Sequence, residues 1–104
     1  MLQQKEYHEI RDLYQDWLVD VRRHLHRNPE LGDKEFETQK FIMAQLKEMG
    51  IEHYPIARTG VVGLIPGQEG GNTVALRADI DALPIQDRKD VEYRSQNDGV
   101  FHAC

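Results

Sequence analysis

From Lys5 to Arg27 the apolar residues Tyr7, Ile10, Tyr14, Trp17, Leu18, Val21 and Leu25 recur at steps of three and four. This spacing predicts a long amphipathic helix with an apolar stripe wide enough to dock on a sheet. Its last turns carry Arg22, Arg23, His24, His26 and Arg27, cations where the helix dipole favours them. Asn28-Pro29 ends it, because the residue before a proline is pushed out of the α region. After the turn Pro29-Glu30-Leu31-Gly32, Asp33 is the expected N-cap of a second helix reaching about Met49. Phe36, Phe41, Ile42, Leu46 and Met49 form its buried side, and Gly50 closes it in the left-handed conformation.

Beyond Gly50 the period shortens to that of strands. Glu52–Ala57 reads as a weak strand that Pro55 confines to an edge, and Val61–Ile65 as a firmer one. A loop of turn-formers, Pro66 to Asn72, leads into Thr73–Pro84. There Val74, Leu76 and Ala78 fall on one face of a buried strand. Asp79 and Asp81 stand at its C-terminal end, where ligands collect in open α/β sheets. They would point the same way, about 6.5–7 Å apart. Like charges that close call for a cation or a basic partner, unless one acid caps a turn and the other faces water. Residues 85–99 are polar and irregular, with Val91 and Tyr93 as the main apolar anchors. No repeat, low-complexity tract or domain boundary interrupts the 104 residues.

Composition narrows the classes. A hydrophobic content of 39% in 104 residues implies one small domain with a thin core, or with one that needs more chain or a partner to be complete. The net charge of −5 disfavours nucleic acid and anionic membranes as partners. No run of about 18 apolar residues could span a bilayer, and the N-terminus has no apolar signal core. A single cysteine excludes an internal disulfide and fits a reducing, cytoplasmic setting. That cysteine, Cys104, is also the final residue, so we expect the natural chain to continue.

His102 and Cys104 offer an imidazole and a thiol two residues apart, a donor pair suited to zinc, cobalt or nickel, with manganese added by nearby carboxylates. His24 and His26 project to different sides of a helix and make a poor metal pair. The basic cluster around them suits a carboxylate or phosphate, or simply a solvated helix end.

Four separated blocks carry a resemblance to a known family. Arg22-Arg23-His24-Leu25-His26 with Pro29-Glu30-Leu31-Gly32, Glu35 and Thr38 resembles the N-terminal signature of the M20 metallopeptidases. Thr59-Gly60-Val61-Val62, Ala75 to Pro84, and His102-Ala103-Cys104 are similar to the next three motifs of the aminoacylase-like amidohydrolase branch, in order and spacing. That branch includes hippurate hydrolases, N-acetyldiaminopimelate deacetylases and indole-acetyl-amino-acid hydrolases. The resemblance implies an α/β fold, with residues 1–104 as the N-terminal part of a catalytic domain whose mixed sheet is flanked by helices (phosphorylase/hydrolase-like, zinc-peptidase type). It implies a metal-dependent hydrolase of N-acyl amino acids holding two divalent ions (Zn, Mn, Co or Ni), with room for a homo-oligomer of the full-length protein. By the same resemblance Cys104 is a metal ligand, and Asp81 is the catalytic-site acid that orients a metal-binding side chain. Asp79 stands where many relatives have a metal-binding histidine and is not assigned as a ligand. His102 is expected to make a structural hydrogen bond. One thiolate cannot hold a metal pair, so residues 1–104 alone are expected to be inactive and metal-free. The competing expectations are a non-enzymatic or vestigial helix-sheet interaction module, and a redox thiol at Cys104, which lacks a resolving cysteine.

Overall fold

A computed structural model describes residues 1–104. Helix α1 spans Gln4–Arg27, helix α2 Phe36–Glu48, strand β1 Glu52–Ile56 and strand β2 Gly60–Leu64. Helix α1 opens with the Glu6 carboxylate accepting the Gln3 N–H at 2.7 Å, satisfying a donor the helix leaves free. It closes where Asn28 Nδ2 donates to the His24 carbonyl at 2.8 Å, just before Pro29. The expected docking of its apolar stripe on a sheet does not occur within this chain. Tyr7, Ile10, Tyr14, Trp17 and Leu18 are exposed, and His26 is the one buried residue of the helix.

Helix α2 starts later than the pattern suggested, and Asp33 does not cap it. Asp33 has φ +64° and lies in a tight turn closed by Lys34 N–H donating to the Leu31 carbonyl at 2.9 Å. That reversal leaves the first turn of α2 to Glu30. The Glu30 carboxylate accepts from the N–H groups of Glu37 (3.2 Å) and Thr38 (2.5 Å) and from Thr38 Oγ1 (2.6 Å). A longer acid reaching back from the preceding turn thus does the work of an N-cap, with its charge at the positive end of the helix dipole. The other end follows expectation. Gly50, at φ +70°, donates to the Lys47 carbonyl, and Ile51 N–H to the Leu46 carbonyl, the paired closure of a Schellman motif.

Strands β1 and β2 form an antiparallel hairpin in which Tyr54 faces Val62 and Pro55 faces Val61. Ala57 and Arg58 both have positive φ in its connection. Helix α2 holds that turn: Gln39 Nε2 donates to the Arg58 and Gly60 carbonyls, each at 2.9 Å. Two isolated pairings tie down the rest of the chain. Leu31 pairs in parallel with Ala82, and Leu83 antiparallel with Phe101. The architecture is α/β, with both strand senses present.

Thr73–Ala78 departs from the pattern. It pairs with no strand, and Val74 and Leu76 are 84% and 98% exposed. A strand needs neighbours to take its N–H and C=O groups, and none lies alongside here. The core is thin, as composition implied: Ala82 and Val100 are the buried hydrophobic residues. Most other buried positions are polar or charged, namely His26, Glu35, Thr38, Thr59, Asp87 and Ser95.

Candidate functional site

The Leu83–Phe101 pairing organises the chemistry. Leu83 N–H donates to the Phe101 carbonyl at 3.0 Å, and Phe101 N–H to the Leu83 carbonyl at 3.1 Å. This ladder draws the end of the acid-bearing segment against the segment that carries His102 and Cys104. A cavity of about 210 Å³ opens beside it, lined by Arg22, Leu25, His26, Thr38, Asp79, Ile80, His102 and Cys104. Asp79 and Ile80 therefore share one wall with His102 and Cys104, more than 20 positions later, because two backbone hydrogen bonds bring their segments together. Ala82 N–H donating to the Glu30 carbonyl and Gln96 N–H to the Arg27 carbonyl tie both to the end of α1.

Each expected site residue has a definite position. Cys104 is exposed at the cavity edge. Asp79 lines the cavity and pairs with the Arg77 guanidinium at 3.0 Å, both side chains solvent-exposed. Asp81 does not line it. Its carboxylate faces Gly32, with Oδ2 3.9 Å from where a Cβ on that glycine would stand. Glu35 approaches the same point, with Oε1 at 4.0 Å. His102 has its Nε2 buried with no hydrogen-bond partner. Burial, and then the neighbouring His26, hold the His102 imidazole below the usual histidine range. The Asp81 charge and a hydrogen bond to the Asp81 backbone pull the other way.

A thiol and an unpartnered imidazole nitrogen on one cavity match the donor chemistry of a zinc-class ion. No three His, Cys, Asp or Glu side chains of this chain converge closely enough to hold a metal. These residues fit one edge of a metal site and not a complete one.

Two buried acids dominate the local electrostatics: Asp87, which sequence reasoning passed over, and Glu35, which it met as part of the N-terminal signature. Asp87 is 1% exposed and accepts from Ser95 N–H (3.0 Å), Lys89 N–H (3.1 Å), Lys89 Nζ (2.9 Å) and His26 Nε2 (3.1 Å). The Ser95 amide and the Lys89 ammonium, outweighing burial, hold its carboxyl far below the usual carboxylate range. Burial pushes Glu35 upward, but the Thr59 hydroxyl and nearby backbone amides outweigh it and keep the group below its usual range. Its Oε2 has no partner. The solvated-end reading of the basic helix terminus is corrected for His26, which is 5% exposed because Asp87 draws it inward. The one local sign of Asp87 was its Asp-x-Lys context, in which the side chain bonds the amide two residues on.

No family model matches the chain. It is 44% identical over 105 residues to "Thermostable carboxypeptidase 2" of Saccharolobus solfataricus, covering 99% of this chain and 26% of that protein. It is 51% identical over 88 residues to "N-acetyl-L-cysteine deacetylase" of Bacillus subtilis, covering 84% and 21%. Among solved structures, a Bacillus subtilis protein described as a dinuclear metal binding peptidase from the M20 family superposes with a TM-score of 0.84. It shares 43% identity over 89% of this chain and 27% of its own. By sequence and fold the chain belongs to the M20 family, as the counterpart of its N-terminal portion. It spans about a quarter of the length of the curated relatives it matches. No helix is long and apolar enough to cross a membrane.

Proposed function

We propose that residues 1–104 are the N-terminal part of the catalytic domain of a metal-dependent amidohydrolase that cleaves the amide bond of N-acyl amino acids. In this reading Cys104 is a metal ligand, and Asp81 orients a metal-binding side chain supplied by other residues of the full-length protein. The observation that carries it is the cavity lined by Cys104, His102 (whose buried Nε2 has no partner) and Asp79, held beside Asp81 by the Leu83–Phe101 ladder. The names of the relatives, a carboxypeptidase and an N-acetylcysteine deacetylase, support amide-bond chemistry on amino-acid derivatives. When bound, divalent ions of the Zn, Mn, Co or Ni class supply Lewis-acid chemistry to such a bond. This chain contributes one wall: Asp81 and its backbone steady the His102–Cys104 segment, and Thr38 and Leu25 close the cavity from the helix side. The single thiol fits a reducing, cytoplasmic location.

The test is hydrolysis of a panel of N-acyl amino acids by the full-length gene product, with and without added Mn, Zn, Co or Ni. Metal-stimulated release of free amino acid is expected, with none from residues 1–104 alone. Absence of amide hydrolysis under every metal would overturn the reading.

A further inference from the structure

We propose that Asp87 is a positioning residue for the metal-binding wall, acting through His26 and Lys89 to set where Phe101, and with it Cys104, stands. This rests on Cys104 being a ligand. Asp87 lies 17 positions before Cys104 in a stretch with no regular structure, yet four donors converge on its buried carboxylate. Two of those donors flank the same aromatic ring. Lys89 Nζ sits 4.6 Å from the Phe101 ring centroid, and the His26 ring meets it edge-on at 6.1 Å. Both charged oxygens of Asp87 are used, Oδ1 by Lys89 and Oδ2 by His26 and Ser95.

The same acid secures the chain that follows. Ser95, held by its amide on Asp87, donates through Oγ to the Val100 carbonyl at 2.6 Å. Gly99 N–H reaches back to Gln86 Oε1 at 2.6 Å. Phe101 then pairs with Leu83, and three residues on the chain reaches Cys104. An ionised carboxylate accepts and cannot donate, so His26 Nε2 carries the proton, which fixes the tautomer of a ring that lines the cavity. Asp87 touches neither the cavity nor Cys104, so it acts only through the groups it holds.

The experiment uses Co(II) alone as probe on the full-length gene product, following affinity and the thiolate-to-cobalt charge-transfer band. Asp87→Asn keeps the volume and loses the charge. It is expected to weaken cobalt binding about 10-fold, the low end for a group bonded directly to a ligand, because Asp87 acts through intervening groups. The charge-transfer band should change as well, with Asp87→Glu restoring part of it. An Asn variant that folds, binds cobalt as tightly as the parent and keeps the same band overturns the proposal. If the Asn variant does not fold, Lys89→Met decides: a smaller loss in the same direction supports the role, and unchanged affinity and band overturn it. Cys104→Ser separates the two readings. A thiolate band present in the parent and lost on Cys104→Ser upholds the ligand assignment, leaving the Asp87 variants to judge positioning. A parent without that band, binding cobalt no better than Cys104→Ser, removes the ligand and the proposal together.

Discussion

The loop around Asp87 and the extended segment Thr73–Ala78 invert what their compositions suggest. The loop is polar, has no regular structure, and contains the most tightly satisfied side chain of the molecule. The segment is apolar, patterned as a strand, and stands in solvent with Leu76 98% exposed. A carboxylate that gathers three donors from its own loop and a fourth from α1 can be buried without further chain. A strand cannot, because its ladder partners and the cover for its faces must both come from elsewhere. The apolar stripe of α1 shares the strand's condition, and the Glu30 cap shares the loop's.

The largest expected effect tests whether the acid beside the segment's end is functional. Asp81→Ala in the full-length gene product should lower amide hydrolysis by about 100-fold, the upper range for a residue that orients a ligand. Full retained activity would remove Asp81 from the site. Ser95→Ala should cost about 1–3 kcal/mol in denaturant unfolding, since it strands the Val100 carbonyl in a buried position. Glu30→Ala should cost about 1 kcal/mol, read the same way, because the amides of Glu37 and Thr38 lose their acceptor.

The loop also gives a pH signature. The folded-state pKa of Asp87 is depressed, so its stabilisation is complete well above the unfolded carboxylate value of about 4 and is lost as pH falls through that value toward the lower folded one. Asp87→Asn should therefore be less stable than the parent at pH 7, with the gap narrowing on acidification; a gap independent of pH between 3 and 7 would refute the assignment. The smallest effect belongs to the segment. Leu76→Ser should change the stability of residues 1–104 by no more than about 0.5 kcal/mol, as at exposed sites generally. A cost of about 2 kcal/mol or more for the same change in the full-length gene product would reveal a cover over this face.

Much of the local structure was legible. The three-and-four spacing gave α1 to within a residue, and Gly50 marked the end of α2 because a left-handed closure favours glycine. The strand readings at Glu52–Ala57 and Val61–Ile65 located both arms of the hairpin, although their antiparallel pairing came only with the structure. The motif blocks led to the family and to the segments around Asp81 and Cys104. Less legible was anything set by pairing at a distance. The sequence pattern made Asp33 a cap, but a positive φ turned it away and Glu30 reached across instead. His26 looked like a solvated helix-end cation until Asp87, 61 residues later, proved to be its partner.

By itself, then, the sequence determined the helices, the two short strands, the family and the residue types available for metal chemistry, because propensity, periodicity and motif spacing act within a few turns of chain. Tertiary structure alone decided which acids are buried, which apolar faces stay bare, and that His102 and Cys104 share a cavity with Arg22 and Thr38. Those outcomes depend on hydrogen bonds between residues tens of positions apart. No local pattern encodes such a partner until the backbone has brought it within reach.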